Sequence, residues 1–313
     1  MSVDWNDISA KANGGTELAA RALEARFPKE FLDKFQIVLG RVRELDPSKI
    51  RIWWGQDLWD DPEASYLDCG GWKHFDRLVF VSNWQMQGFI ERYQIPWSRC
   101  AVLQNAIEPI QEHTKPKGKI RILYTSSPHR GLAILYAVFR KLCEQYDNIE
   151  LVVFSSYSIY GWNHRDKPFE PLFKMLREDP RVQFTQGAPN SEVRKAIETC
   201  HILGYPSTWR ETSCIALIEA MSGGLLCVHP NYGCLAETAA NWTTMYQYDE
   251  NPEEHASVFY SALDRAIQVL ADPRMSIHLA GQKDYADRFY DWDLRLRQWT
   301  VLLRGELANA NAS

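Results

Sequence analysis

Short apolar runs alternate with amphipathic stretches throughout the second half of the chain. Six runs of four to six residues have the length of buried strands: Ile120–Thr125, Ile149–Phe154, Val182–Thr185, Ile202–Tyr205, Leu225–His229 and Met245–Tyr248. Apolar residues at helical spacing fill segments between them, notably Leu132–Tyr146, Ser191–Cys200 and Ile215–Met221. Buried strands that alternate with helices predict a doubly wound α/β domain with a parallel sheet.

The first half repeats this theme less regularly. A helix over Thr16–Arg26 follows Gly14-Gly15, and a second helix covers Trp84–Tyr93. The predicted strands are Gln36–Leu39, Ile50–Trp53, Leu78–Ser82 and Ala101–Gln104. No strand is evident before Gly14, and the segment is short for a full domain of this kind. We therefore expect a trimmed, Rossmann-like domain over residues 1–112, a second domain over 113–289 and a C-terminal helix over 290–313 that packs back toward the first domain.

Composition narrows the class of protein. The 313 residues suffice for two domains, and a formal charge of −5 argues against nucleic-acid binding. No apolar run approaches 18 residues, so we expect no transmembrane segment. The N-terminus has no basic and apolar leader, and the seven cysteines lack metal-binding spacing. These features predict a cytoplasmic protein with reduced thiols and no structural zinc.

Two glutamates, Glu211 and Glu219, are separated by seven residues in a stretch with helical periodicity. On a helix, this spacing of about two turns would place both carboxylates on roughly the same face. Gly223 and Gly224 then end the helix before the next apolar run. Two acids at a strand–helix junction suit the binding of a polyhydroxylated ligand. In isolation, such a pair is more typical of an amphipathic helix with two solvated glutamates.

Ligands of open α/β sheets bind beyond the carboxyl ends of the strands, where loops lead into helices. The loop that contains Arg130 suits a diphosphate, although a capped helix with an exposed arginine has the same pattern. The loop that contains Gly187 offers backbone groups that could bind the edge of a nucleobase. The loop before Glu219 presents the amide N–H groups of residues 212–214, which favour negative charge.

Several motifs are shared with a known enzyme family. In the second half they are Arg130-Gly131-Leu132, Tyr205-Pro206-Ser207, Glu211 and Glu219 followed by Ala220-Met221 and Gly224, and Gly233 with Glu237. Elsewhere they are Gly14-Gly15, Asn105-Ala106-Ile107 and Tyr290-Asp291-Trp292. Together they resemble the GT-B retaining glycosyltransferases of family 4, strongly over residues 119–240 and thinly before residue 75. The resemblance implies two Rossmann-like domains that face each other across a cleft, with the N-terminal domain shortened.

The resemblance also implies a function and a set of site residues. The protein would be a hexosyltransferase that moves a sugar from a UDP- or GDP-sugar to an acceptor hydroxyl, with retention and without a metal or other cofactor. Glu219 would accept from ribose hydroxyls, and Glu211 would contact the donor sugar. Arg130 would bind the diphosphate, and Gly15 would approach the donor phosphate or the acceptor. The implied donor-binding segment after Glu211 comprises Thr212, Ser213, Cys214 and Ile215.

Three further points leave alternatives open. Thr212-Ser213-Cys214 replaces the Gly-Phe-Gly of many relatives, and the arginine they place about five residues before the position of Arg130 is absent. Asp57 follows a strand and could orient an acceptor hydroxyl, or it could cap a helix. The alternatives to a transferase are a catalytically silent sugar-nucleotide-binding or assembly protein and a GT-B phosphorylase or epimerase. The sequence does not indicate an oligomeric state.

Overall fold

The computed structural model describes residues 3–4, 12 and 14–312. The chain divides into two compact units. The first comprises Met1–Ala106 together with Tyr290–Ser313, and the second is the continuous segment Ile107–Phe289. Among the residues that the structure describes, no helix combines the length and the apolar character needed to cross a membrane.

The sheet of the first unit has five parallel strands in the order β1-β2-β3-β4-β5 within the described residues. They are β1 (Val3–Asp4), β2 (Phe35–Val38), β3 (Ile50–Trp54), β4 (Arg77–Phe80) and β5 (Cys100–Val102). The helices among them are α1 (Gly15–Glu24), α2 (Lys29–Leu32) and α3 (Asn83–Tyr93). The expectation that no strand precedes Gly14 is wrong, because Val3 pairs with Ile37. A strand of two residues is too short to show a period-two pattern.

The second unit contains a six-stranded parallel sheet in the order β11-β10-β9-β6-β7-β8. Its strands are β6 (Ile120–Thr125), β7 (Ile149–Phe154), β8 (Val182–Thr185), β9 (Ile202–Gly204), β10 (Leu226–Pro230) and β11 (Thr244–Tyr246). Its helices are α4 (Leu132–Leu142), α5 (Glu170–Glu178), α6 (Asn190–Thr199), α7 (Ile215–Ser222), α8 (Leu235–Ala239), α9 (Pro252–Val269) and α10 (Pro273–Phe289). The predicted doubly wound α/β class is confirmed, and the predicted strands agree with these within two residues at each end.

The order of the strands creates a switch point in the second unit. Strand β6 pairs with β7 on one side and with β9 on the other, so the chain changes direction across the sheet between β8 and β9. Loops that leave the carboxyl ends of such neighbouring strands diverge and leave a crevice where ligands bind. The loops in question are residues 126–131 after β6 and residues 205–214 after β9.

The last helix, α11 (Trp292–Ala312), belongs to the first unit. Its Trp299 is fully buried and contacts Trp54 of β3 edge-on, with ring centroids 4.9 Å apart. Leu303, one turn further, joins the same cluster of buried residues. Two tryptophan rings in edge-on contact bury a large apolar area, which stabilises a hydrophobic core. These tryptophans therefore act in packing.

Candidate active site

The loops after β6 and β9 meet at the switch point of the second unit. Gly131 has a φ of +103°, and a Cβ atom there would lie 2.0 Å from the carbonyl oxygen of Pro206. Thr208 Oγ1 donates to the carbonyl of His129 at 2.8 Å. Only glycine combines a positive φ with so close an approach of another backbone. This contact brings the loop of Arg130 against the loop that leads to Glu211.

Arg130 and Glu211 form a partly buried ion pair in this contact. Arg130 Nη1 lies 2.9 Å from Glu211 Oε1 and 3.0 Å from Oε2. The Tyr205 hydroxyl donates to the same Oε1 at 2.5 Å, and only 5% of the Glu211 side chain is exposed. Arg130 Nε is buried without a hydrogen-bond partner among the described residues. The loops thus hold a fixed guanidinium with donor capacity still unused, as the binding of an anionic group requires.

Arg130 stays protonated in this environment. Burial is the largest single influence and lowers the pKa of Arg130, but the Glu211 carboxylate, together with Tyr205, Tyr160 and Cys214, raises the pKa well above its usual value. Aromatic rings lie near the pair. The guanidinium is 5.8 Å from the ring of Trp209, and the adjacent His129 stacks on Tyr157 with ring centroids 5.3 Å apart. Burial, followed by the charge of Arg130, lowers the pKa of His129 to about 4. His129 is therefore neutral near pH 7.

The structure separates the two glutamates that the sequence placed on one helical face. Helix α7 begins only at Ile215, with Cys214 as its N-cap residue, so Glu211 lies in the preceding loop. The Glu211 carbonyl accepts from the Cys234 amide at 2.8 Å, and a Cβ atom on Gly233 would lie 2.5 Å from the Glu211 amide nitrogen. Contact with the loop after β10 therefore holds Glu211 in a loop instead of a helix. The prediction of a shared helical face is wrong.

Glu219 lies in the second turn of α7 and is buried. Two residues of α6 bind its carboxylate: Asn190 Nδ2 lies 3.2 Å from Oε1 and 3.1 Å from Oε2, and Arg194 Nη1 lies 2.9 Å from Oε1. Burial raises the pKa of Glu219, whereas Arg194 and Asn190 lower it. A buried acid with charged and polar donors is suited to accept a hydrogen bond from a ligand hydroxyl.

Gly187 joins the loops that follow β7 and β8. Its φ is +74°, and a Cβ atom there would lie 2.2 Å from Ser158 Oγ. Asp166 connects the same two loops, since it accepts from the Tyr157 amide at 2.8 Å and from Gln186 Nε2 at 3.2 Å. The backbone around Gly187 is therefore held in place at the carboxyl edge of the sheet, as the predicted contact with a nucleobase requires.

The remaining predicted site residues, Gly15 and Asp57, belong to the first unit. Gly15 is the first residue of α1, directly after the extended Gly14. Asp57 is exposed in the loop after β3, and its carbonyl accepts from Gln85 Nε2 at 2.7 Å. Gly15 follows β1 and Asp57 follows β3 along the chain. The second unit accordingly contains Arg130, Gly187, Glu219 and the segment 211–215, in which Arg130 contacts Glu211. In the first unit, Gly15 begins α1 and Asp57 lies in the loop after β3.

A family model described as Glycosyl transferases group 1 matches residues 106–268, just over half of the chain. The chain belongs to this glycosyltransferase family. The matched region includes the loops of Arg130 and Gly187 and the whole segment from Glu211 to Glu219. This glycosyltransferase therefore carries both buried glutamates and Arg130 within the part of the chain that the family model matches.

This glycosyltransferase is similar to known glycosyltransferases in sequence and to GT-B proteins in fold. A phosphatidylinositol N-acetylglucosaminyltransferase subunit of Arabidopsis thaliana is 24% identical over 248 residues, which make up 76% of this chain and 51% of that protein. The chain thus spans about half the length of this relative. A glycosyltransferase from Rickettsia africae has a TM-score of 0.69 at 16% identity, over 94% of this chain and 81% of that chain. Anabaena Alr3699/HepE, solved in complex with UDP-glucose, has a TM-score of 0.64 at 13% identity, over 92% and 82%.

Sequence reasoning about this glycosyltransferase missed the residues that hold its acids. Tyr205 belongs to one of the shared motifs, but the motif does not indicate its hydrogen bond to Glu211. Asn190 lies beside a loop that is expected to present backbone groups, yet its side chain binds Glu219. The spacing of Asn190 and Arg194, four residues apart at a helix start, is the one available signal, because such residues share a helical face.

Proposed function

We propose that this glycosyltransferase moves a sugar from a UDP-sugar to an acceptor hydroxyl, with retention of the anomeric configuration and without a metal ion. The ion pair of Arg130 with Glu211 at the switch point carries the proposal, because it supplies a fixed cation where a diphosphate can bind. Complexes of similar proteins with UDP-sugars support the choice of UDP. The Arabidopsis relative makes UDP-N-acetylglucosamine the first donor to test.

In the proposed reaction, the bond between the anomeric carbon and the β-phosphate oxygen breaks as the acceptor oxygen bonds to that carbon on the same face. The phosphate oxygen that leaves accepts the proton of the acceptor hydroxyl. Arg130 and the backbone N–H groups at the start of α7 stabilise the negative charge that grows on the diphosphate. Glu211 binds a hydroxyl of the donor sugar, Glu219 binds the ribose, and Asp57 orients the acceptor hydroxyl. The positive charge of Arg130 replaces that of a divalent ion.

The proposed function predicts release of UDP from UDP-N-acetylglucosamine or UDP-glucose in the presence of EDTA, with GDP-mannose as the comparison donor. Arg130→Gln should slow the release by roughly a hundredfold or more, because hydrogen bonds to a charged group are worth about 1.5–3 kcal/mol and transition-state charge adds to this. The control is Arg288→Gln, since Arg288 is 80% exposed on α10. UDP release can be followed with a coupled assay.

Three results would contradict parts of the proposal. Binding of UDP without release from any donor, with or without added acceptors, would exclude transfer from a UDP-sugar. Activity that EDTA abolishes and Mn²⁺ restores would exclude the metal-free mechanism. Wild-type rates in Arg130→Gln would show that the ion pair does not hold the diphosphate. Analysis of the anomeric configuration of the product tests retention directly.

A further inference from the structure

Arg194 has two sets of contacts in the second unit. Its Nη1 binds Glu219 Oε1 at 2.9 Å, and its Nη2 lies 2.8 Å from the carbonyl oxygen of Glu108 and 3.3 Å from that of Pro109. A planar guanidinium with donors in a fixed fork can make both sets of contacts at once. Arg194 therefore ties the carboxylate of Glu219 to the segment with which the second unit begins.

The contacts of Glu219 leave it few directions in which to accept a further hydrogen bond. An ionised carboxylate has about four lone-pair sites. Arg194 and Asn190 both donate to Oε1, and Asn190 also donates to Oε2. The open acceptor site is therefore on Oε2. A ligand hydroxyl can use it only while the carboxylate keeps this orientation.

We propose that Arg194 is a positioning residue that orients Glu219 to accept a hydrogen bond from a ribose hydroxyl of the donor. The inference rests on the proposed function, since it assumes a nucleoside diphosphate bound beside α7. Arg194 acts through Glu219 and not by contact with the reacting atoms. Loss of Arg194 should therefore weaken the binding of UDP itself, which contains the ribose but no transferable sugar.

The charges around Glu219 make the role of Arg194 measurable through pH. On α6, Glu192 and Lys195 pair with each other in solvent, and on α10, Lys283 pairs with Asp287 at 2.8 Å. Glu237 lies on the neighbouring α8. Burial raises the pKa of Glu219, and among these described groups only the charge of Arg194 lowers it. Without Arg194, the carboxylate should take up a proton at higher pH. Protonation removes an acceptor, so UDP affinity should then fall at higher pH than in the wild type.

The test measures UDP binding by calorimetry across pH in Arg194→Gln and in the control Lys195→Gln. Lys195 is the next residue of α6 and is 70% exposed. We expect Arg194→Gln to weaken UDP binding roughly tenfold or more. The pH at which affinity is half lost should rise by about one unit, the effect of removing an opposite charge from a carboxylate. Lys195→Gln should behave as the wild type.

The decisive comparison introduces Arg194→Gln into the Glu219→Gln variant, which lacks the carboxyl group that titrates. In this background, Arg194→Gln should cause no shift in the pH profile, and a shift that persists would overturn the positioning role. Arg194→Gln with the affinity and pH profile of the wild type would overturn it as well and leave the proposed function intact. A wild-type protein that binds no nucleoside diphosphate would instead refute the proposed function.

A conservative variant keeps the test valid if Arg194→Gln does not fold. Arg194→Lys retains the charge, but an ammonium cannot bind the carboxylate and both carbonyls in the planar geometry of the guanidinium. We expect weaker UDP binding with a pH profile close to that of the wild type. Wild-type affinity in Arg194→Lys would contradict the proposal.

Discussion

The carboxylates of Glu211 and Glu219 are both buried, yet they are held in different ways. Glu211 receives donors from two loops, through Arg130 and Tyr205, whereas Glu219 receives side-chain donors from α6. The spacing along the chain was sufficient to single out both acids. It could not reveal their partners, because Arg130 lies 81 positions from Glu211 in the sequence. Only the packing of the strands brings these two residues together.

A buried histidine allows a prediction about stability. His229 of β10 is fully buried; its Nδ1 lies 2.9 Å from the Pro230 carbonyl and its Nε2 lies 2.7 Å from Thr243 Oγ1. The carbonyl can only accept, so Nδ1 carries the proton of a neutral ring. Burial lowers the pKa of His229 from 6.5 to about 4. The neutral ring therefore stabilises the fold above pH 6.5, and this contribution is lost as the pH falls through 6.5 toward 4.

We expect His229 to contribute up to about 3 kcal/mol to the loss of unfolding free energy on acidification. Denaturant unfolding at several pH values should show a shallower decline for His229→Gln than for the wild type. His164→Gln is the control, because His164 is exposed. A decline in His229→Gln as steep as that of the wild type would refute this assignment.

At the scale of the elements, alternation of apolar runs and helical stretches located the strands of the second unit within two residues. It failed for β1, which is two residues long. It predicted the start of α7 at Ile215 correctly, but the spacing argument that placed Glu211 on the same helix failed, because Glu211 lies in the loop before α7 and contacts the loop after β10. A periodic pattern can be recognised only over several residues, so it misses very short elements. The conformation of a loop depends on neighbours that are distant in the sequence. Gly131 and Gly233 show this dependence, since each lies against another backbone segment.

Gly131 can be tested against a glycine with the same conformation. Gly118 has a φ of +105° but no atom within 4 Å of an added Cβ, whereas the Cβ of Gly131→Ala would lie 2.0 Å from the Pro206 carbonyl. Gly118→Ala should lower the free energy of unfolding by about 1 kcal/mol, the cost of a positive φ at a residue with a side chain. Gly131→Ala should lower the free energy of unfolding by about 3 kcal/mol. It should also weaken UDP binding, because the loop that contains Arg130 must move. Equal losses in the two variants, measured by denaturant unfolding, would show that the loop contact is unimportant.

For the whole molecule, both ends of the chain contribute to one unit. The described N-terminal strand β1 and the C-terminal helix α11 belong to the first unit, which the segment Ile107–Phe289 interrupts. The length of the chain indicated two domains, and the sequence predicted a C-terminal helix that packs back toward the first. The buried residues of α11 pack in the same cluster as those of β2 and β3. Through Trp292, Trp299 and Leu303, the C-terminal helix thus completes a core.

The contribution of α11 can be measured with two variants. Trp299 is fully buried against Trp54, whereas Val301, two residues later, is 74% exposed. Trp299→Ala should lower the unfolding free energy of the first unit by about 3–5 kcal/mol. Val301→Ala should change it by about 0.5 kcal/mol or less. Fluorescence-detected denaturant unfolding distinguishes the two, and similar small effects would show that α11 does not complete the core.

The amino-acid sequence by itself determined the α/β class, the strands of the second unit and the motifs of the glycosyltransferase family. These follow from short-range periodicity and from residues close together in the chain. The tertiary structure alone decided which groups surround Arg130, Glu211 and Glu219. The order of the strands places β9 beside β6, although β7 and β8 lie between them in the chain. Hydrogen bonds across that junction depend on distances in space, which the local pattern of residues does not encode.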